Sequence, residues 1–433
     1  MYIGVPPIYK ITIHPNSALA VCKTSGCRYH THTSSVNFLH LSLNEQPRFR
    51  ITAVSLPNFS EMLGALVQTP SVSNLSRELD CSNRAVVELL ATWLEDLDFD
   101  ISIQTLPNES KFNLVARKGK GRGGLLLSGH TDTVACNADQ WTSDPFELKS
   151  SDGKLYGLGT CDMKGFFPTI LEILEHTSAT KLTAPITVLA TADEETDMAG
   201  ARHLLDTEVL TAEAAIIGEP TSLETVTAHK GIFTMKISTR GKSAHSSNPN
   251  LGVNALEGMH QILSALLDYR DALRERYHDH AFDIPYPTMN LGCLHAGDSA
   301  NRICNNAELL IDCRTLPGMS SVEVAEELKI HLVSLESKIG MPIDVELGMP
   351  PIEPFSANSD SKLSKLMEQL TGRTVKTVAF GTEAPFLQRM GLDTIVFGPG
   401  SIDQAHQVDE YLSLDQVRTA QDTLVRVLDV YCF

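Results

Sequence analysis

No apolar run in these 433 residues approaches the ~18 that a membrane-crossing helix needs, so no helical span is expected. Basic residues are too few for a nucleic-acid footprint. The 35 lysines and arginines stand against 53 aspartates and glutamates, a formal net charge of −18. That sign leaves substrate charge open, because a cationic pocket can exist on an acidic protein. No Gly-x-Ser-x-Gly elbow lies beside a plausible base, and no phosphate-binding loop is present, which excludes serine-hydrolase and P-loop chemistry. There is no internal repeat or low-complexity segment. The opening residues lack the basic start, continuous apolar core and small-residue cleavage site of a secretory signal. Nine scattered cysteines form no disulfide framework in a chain of this length, so a reducing cytoplasm is the expected compartment.

What is present is ordinary for a globular enzyme: 42% hydrophobic and 20% charged residues, and enough length for two domains. Residues 1–55 differ from the rest. They mix prolines, threonines and histidines without periodicity and read as an N-terminal extension outside the catalytic core. Cys22, Cys27, His30 and His32 cluster there, but their spacing matches no common zinc finger. Ordered structure is expected from near Pro57, with amphipathic helices over Phe59 to Val67 and Ser82 to Leu97.

The chain is organised around Gly124 to Asp132. Three leucines between glycines predict a short strand buried on both faces, as in a parallel sheet, with ligands beyond its carboxyl end. His130 and Asp132 stand at that end. As alternate residues they can share a side, so Asp132 can hold one imidazole nitrogen and leave the other for a metal. Asp162 follows in a glycine-rich turn before a helix from about Lys164 to His176, where a helix cap is the simpler role, worth about 1 kcal/mol. The apolar strand Pro185 to Thr191 runs into Asp193-Glu194-Glu195. Three acidic residues at a strand end are costly unless cations gather them. A third apolar strand, Ala214 to Gly218, ends in Glu219. From about Gly231 the order becomes β-α-β-β-α-β, which predicts an inserted ferredoxin-like module. After Pro350 the α/β texture returns, with a loop reaching His406 and a closing helix from Leu414. The fold class is therefore α/β, a mixed-sheet catalytic domain with an inserted α+β module.

Two imidazoles and several carboxylates without cysteine suit zinc, cobalt or manganese. Four or five ligands with one shared carboxylate would hold two metals about 3.5 Å apart. One carboxylate should then remain to take a proton from water. Glu194 and Glu195 can divide these tasks, since neighbours on an extended chain point in different directions. Metal-assisted hydrolysis is the chemistry this spacing supports.

Ser128-Gly-His-Thr-Asp132, Gly159-Thr-Cys-Asp162-Met-Lys-Gly, Ala192-Asp-Glu-Glu195 and Gly218-Glu-Pro220 resemble the motifs of the dinuclear-zinc deacylase and aminoacylase metallopeptidase family. Longer stretches are similar to its acetylornithine-hydrolysing branch: Gly153-Lys-Leu-Tyr-Gly-Leu-Gly-Thr, Ala190-Thr-Ala-Asp-Glu-Glu-Thr, Ile217-Gly-Glu-Pro-Thr-Ser, Ala228-His-Lys-Gly and Phe397-Gly-Pro-Gly-Ser-Ile-Asp-Gln-Ala-His. The likeness runs from about Leu56 to the end.

The resemblance implies two Zn2+ per subunit, with Co2+ as a substitute. His130, Asp162 and Glu219 would hold one metal, and Asp162 would bridge to a second held by Glu195 and His406. Glu194 would be the general base and Asp132 would orient His130. Residues 56–230 and 349–433 would form the catalytic domain and 231–348 a lid and dimerisation domain, whose His245 reaches the partner subunit's site in a homodimer. Asn301, Arg302 and Arg314 are candidates for recognising the substrate carboxylate, since arginine pairs with carboxylates bidentately. Glu383, in a substrate-facing loop, would meet a cationic amine. The implied reaction releases acetate and L-ornithine from N-acetyl-L-ornithine, in arginine biosynthesis. Succinyl-diaminopimelate, N-acetylcitrulline or a dipeptide would be cleaved by the same chemistry, and a non-catalytic binding protein of the same fold is the reading from another class.

Overall fold

A computed structural model describes residues 55–108, 110–207 and 210–433. The expected N-terminal extension, with Cys22, Cys27, His30 and His32, lies outside the described residues up to position 54. Among the described residues no helix is long and apolar enough to cross a membrane.

The strand Leu125–His130 is buried along its whole length. Leu125 and Leu127 face one hydrophobic core and Leu126 the other. A three-leucine run is stable only where helices cover both faces of the sheet, because successive side chains point to opposite sides. Ile186–Thr191 and Ala214–Ile217 are buried in the same way. These three strands and Asp393–Val396 lie side by side and parallel, in the order Ile186–Thr191, Leu125–His130, Ala214–Ile217, Asp393–Val396. Antiparallel strands extend the sheet on both sides: Phe112–Lys118 and Asp100–Thr105 beyond the first, Val226–His229 and Phe355–Ser356 beyond the last. Lys376–Val378 pairs parallel with Val226–His229 and completes a mixed sheet of nine strands.

Helices Arg84–Asp96, Phe166–His176, Lys362–Thr371 and Leu414–Tyr431 cover one face, and Ala199–Thr207 and Ala384–Arg389 the other. The first face is so tight at Gly218 that a Cβ there would lie within 3.0 Å of three ring carbons of Phe166. From Leu125–His130 the chain crosses to Ile186–Thr191 on one side, then returns to Ala214–Ile217 on the other. The strand order reverses at that point. A crevice therefore opens beyond the carboxyl ends of these strands, where open α/β sheets hold their ligands.

A second, four-stranded antiparallel sheet has the order Thr288–Ala296, Asn306–Thr315, Gly231–Arg240, Ile343–Leu347. With helices Ala255–Arg276 and Ser321–Ser334 this is the ferredoxin-like arrangement expected from the element order. Gly231–Arg240 alternates buried and half-buried residues, the pattern of a strand packed on one face only. After Ser321–Ser334 a short helix, Glu336–Ile339, follows and ends at the left-handed Gly340.

A small sheet of Tyr411–Ser413, Lys154–Tyr156 and Lys149–Ser151 ties the stretch after His406 to the stretch before Asp162. Asp162 does not cap the following helix. That helix starts at Phe166 behind Gly165, with no side-chain cap, so the Asp162 carboxylate is left for other partners.

Candidate metal centre

Each of the three predicted strand ends delivers its polar residue to the crevice. His130 is buried, with Nδ1 3.0 Å from the Asp132 carbonyl oxygen and Nε2 3.0 Å from Asp162 Oδ1. Asp162 Oδ2 lies 3.7 Å from His406 Nε2, so one carboxylate faces two imidazoles with its two oxygens. His406 Nε2 also lies 2.9 and 3.1 Å from the two oxygens of Glu195. Glu219 Oε2 approaches His130 Nε2 to 4.0 Å.

Ligand atoms of His130, Asp162 and Glu195 lie within 4.8 Å of one another, as do those of His130, Glu194 and Glu219. Glu194 thus stands beside Glu219 and His130 rather than apart from them. Asp132 does more than orient a histidine. Its carboxylate is 3.6 Å from His130 Nδ1 and accepts the backbone N–H groups of Glu194 (3.3 Å) and Glu195 (3.1 Å).

The acidic run divides. Asp193, with a left-handed φ of 58°, turns away to Lys111 Nζ (2.7 Å) and Ser73 Oγ (2.8 Å). Glu194 and Glu195 remain at the centre. Four carboxylates there meet two imidazoles, and among the described residues no lysine or arginine pairs with any of the four.

The proton affinities record this crowding. Burial, then the Glu219 charge, pushes Glu194 well above the usual carboxylate range. Burial, then Asp162, does the same to Glu219 and also raises Glu195. Burial alone would lower His130, yet its contacts with Asp132 and Asp162 hold it well above the imidazole range. Such a cluster stays ionised only around cations. Oxygen and imidazole donors without thiolate suit zinc, cobalt or manganese. The thiol of Cys161, beside Asp162, is directed instead to the Ser401 carbonyl at 3.5 Å. The residues present fit divalent metal ions.

The remaining sequence candidates lie elsewhere. His245, Asn301 and Arg302 form one exposed corner of the second sheet's loops: His245 pairs with Arg302 in a β-bridge, and Ser246 N–H donates to the Asn301 carbonyl at 3.1 Å. Arg302 holds Asp298 at 2.8 Å. Arg314 is engaged bidentately by Asp312, at 2.8 and 3.1 Å. Among the described residues none of these four bonds to a residue of the metal centre.

Glu383 is buried beside the strand end, with Oε2 accepting from Thr191 Oγ1 at 2.9 Å, and burial lifts its carboxyl to about 7. A loop sequence rich in small residues does not disclose that it is folded inward. The sequence reading also missed Lys111 and Glu410. Glu410 sits four residues after His406 and bonds the turn that carries Asp162. Neither has a local signature, because a lone Lys or Glu is usually a solvated side chain.

A parallel sheet that gathers imidazoles and carboxylates at its switch point defines a metal-binding hydrolase of the α/β class. The chain belongs to peptidase family M20/M25/M40, whose sequence model matches residues 126–430. Three solved structures illustrate the likeness, each covering 86% of this chain. A metallo-carboxypeptidase of the M20 family from Sulfolobus solfataricus has a TM-score of 0.70 at 18% identity, over 99% of its own chain. A tripeptidase from Staphylococcus aureus has 0.69 at 18% identity, over 97% of its chain. A dinuclear metal-binding M20 peptidase from Bacillus subtilis has 0.59 at 16% identity, over 97% of its chain. At these identities the likeness establishes the fold.

Proposed function

We propose that this enzyme hydrolyses the amide of an N-acyl amino acid, N-acetyl-L-ornithine, to acetate and L-ornithine, as a cytoplasmic homodimer in arginine biosynthesis. The observation that carries the chemistry is Asp162, whose two oxygens face His130 and His406 at 3.0 and 3.7 Å. The substrate assignment is supported by the longer sequence stretches that resemble the acetylornithine-hydrolysing branch. A second reading, cleavage of a short peptide, is favoured by the tripeptidase and carboxypeptidase among the structural relatives.

In this reading His130, Asp162 and Glu219 hold one metal and Asp162, Glu195 and His406 the other, zinc in the first instance and cobalt as a substitute. Bound there, the ions would supply water with a lowered pKa and polarise the scissile carbonyl. Glu194 takes the proton of the attacking water and returns it to the leaving amine, a task suited to a carboxylate of raised pKa. Asp132 keeps His130 Nε2 turned to Asp162, and by accepting both N–H groups it sets the directions of Glu194 and Glu195.

Residues 231–348 serve as lid and dimerisation module on a catalytic domain of 56–230 and 349–433. Within the module His245 Nδ1 accepts from the Ser247 N–H at 3.1 Å, so its proton sits on Nε2. That N–H, with Asn301 and Arg302 beside it, is offered to the oxyanion and carboxylate of substrate in the partner subunit.

The test is turnover by zinc-loaded protein of N-acetyl-L-ornithine against succinyl-diaminopimelate, N-acetylcitrulline and dipeptides, with Glu194→Gln as control. Preference for acetylornithine, lowered about 10²–10⁴-fold in the variant, is expected. Preference for a peptide would replace the substrate, and undiminished Glu194→Gln would remove the base.

A further inference from the structure

Glu410 is 1% exposed, and no lysine or arginine among the described residues pairs with it. Its carboxylate is instead filled by backbone donors from a single turn. Oε1 accepts from Cys161 N–H at 2.7 Å and Asp162 N–H at 3.0 Å, and Oε2 accepts from Gly159 N–H at 2.9 Å. Its own carbonyl accepts from Gly157 N–H at 3.0 Å. Three N–H groups converge on one side only because the turn is tightly wound. Gly159 has φ 75°, and a Cβ there would lie 2.6 Å from Thr133 Cγ2.

The turn ends in Asp162, and Glu410 belongs to the segment that carries His406. His406 is the most exposed of the proposed ligands, with 53% of its side chain accessible, and it stands at φ 61° in a loop. One buried carboxylate thereby fixes the distance between the residue that faces both imidazoles and the more exposed of those imidazoles. His130 and Glu219 need no such link, because they follow directly from the ends of adjacent paired strands.

We infer that Glu410 is a positioning residue for the metal centre: its three backbone bonds hold Asp162 in register with His406, and so set the affinity of the metal site that Asp162 shares with Glu195 and His406. The inference rests on the ligand assignment above and predicts an asymmetric effect. Partners of this kind typically account for 10–100-fold in metal affinity. Because Asp162 serves both metals, both equivalents should weaken, the one held with His406 by the larger factor.

The measurement is stepwise zinc titration of metal-free protein by calorimetry, for wild type, Glu410→Gln and Glu410→Asp. Asp409→Ala, which removes the Oδ1 that accepts from the Thr142 N–H and Oγ1 and so frees the segment next to Glu410, is the control for loosening of the loop. The amide of Glu410→Gln points a donor at a donor, and the shorter Glu410→Asp keeps both acceptor oxygens but withdraws them by one methylene. The expected result is one equivalent weakened about 10–100-fold, the other by a clearly smaller factor, and turnover recovered by excess zinc at unaltered KM. Two equivalents bound with wild-type affinity by a folded Glu410 variant, or both weakened alike, overturns the positioning role. If Glu410→Gln does not fold, Glu410→Asp decides on the same outcomes. Wild type that binds fewer than two equivalents overturns the ligand assignment instead, so the two failures are distinguishable.

Discussion

Replacing Gly218 by alanine adds one methyl group at the point where strand and helix are closest. Its Cβ would come within 3.0 Å of three carbons of the Phe166 ring, including Cγ. Cγ is the ring's attachment point, not its flexible tip, and Phe166 is only 2% exposed, so the ring cannot swing aside. The backbone conformation at Gly218 is one that any residue adopts, so the whole effect must come from lack of space. Overpacking of a dense core costs about 1–3 kcal/mol. Against this, the methyl contributes about 0.8 kcal/mol from burial, too little to reverse the sign.

The shift should also reach the site, because Glu219 is the next residue. Urea denaturation of metal-free protein reads the stability loss, and zinc titration reads the site. A double-mutant cycle with Phe166→Leu, which removes the obstructing ring, should recover about 0.5–3 kcal/mol as coupling energy. Gly218→Ala with unchanged stability, or a loss that Phe166→Leu does not relieve, would refute the packing argument.

Two further outcomes test other parts of the structure. Lys111→Met leaves Asp193, whose side chain is 9% exposed, without its ammonium and should cost about 3 kcal/mol, the lower end for a broken buried pair because Asp80 is 25% exposed. Burial lowers the Lys111 pKa, but the bonds to Asp193 and Asp80 raise it further, to a folded value above the ordinary 10.5. The lysine's part is therefore complete below 10.5 and is lost as pH rises through the higher folded value, while burial raises the Asp193 carboxyl and ends the pair in acid, so the gap between wild type and variant should be flat across neutrality and close only in acid and in strong alkali. A gap that closes near neutrality would contradict this.

Mixing His245→Ala with Glu194→Ala protomers tests the crossed site. If His245 serves the partner subunit, a heterodimer holds one site with both residues intact, and activity should return to as much as half the wild-type level per mixed dimer. Inactive heterodimers, verified by mass, would count against a role for His245 in the partner subunit's site.

Residue type and local pattern told most of what can be known before the chain is folded. An apolar run such as Gly124 to Leu127 is stable only when covered on both faces, so its burial was legible, and so was the crevice beyond its end. His130, Glu194, Glu195 and Glu219 were readable as candidates because polar groups placed where apolar strands end share one destination, whereas Asp162 stands in a glycine-rich turn where a helix cap was the simpler reading. The β-α-β-β-α-β order likewise disclosed the second sheet, since short connections leave few ways to pair its strands.

Partner choice was not legible. No local feature distinguishes Asp193, which turns to Lys111, from Glu194 and Glu195, which do not. Glu383 reads as a loop residue and is interior, bonded to Thr191. Glu410 resembles any surface acid until three backbone donors close on it. Hydrophobic period and turn chemistry are local quantities carried by neighbours in sequence. Which charge meets which, and which carboxylate is dry, depends on segments as far apart as Thr191 and Glu383 or Cys161 and Glu410, and only the closed tertiary structure brings them within hydrogen-bonding distance.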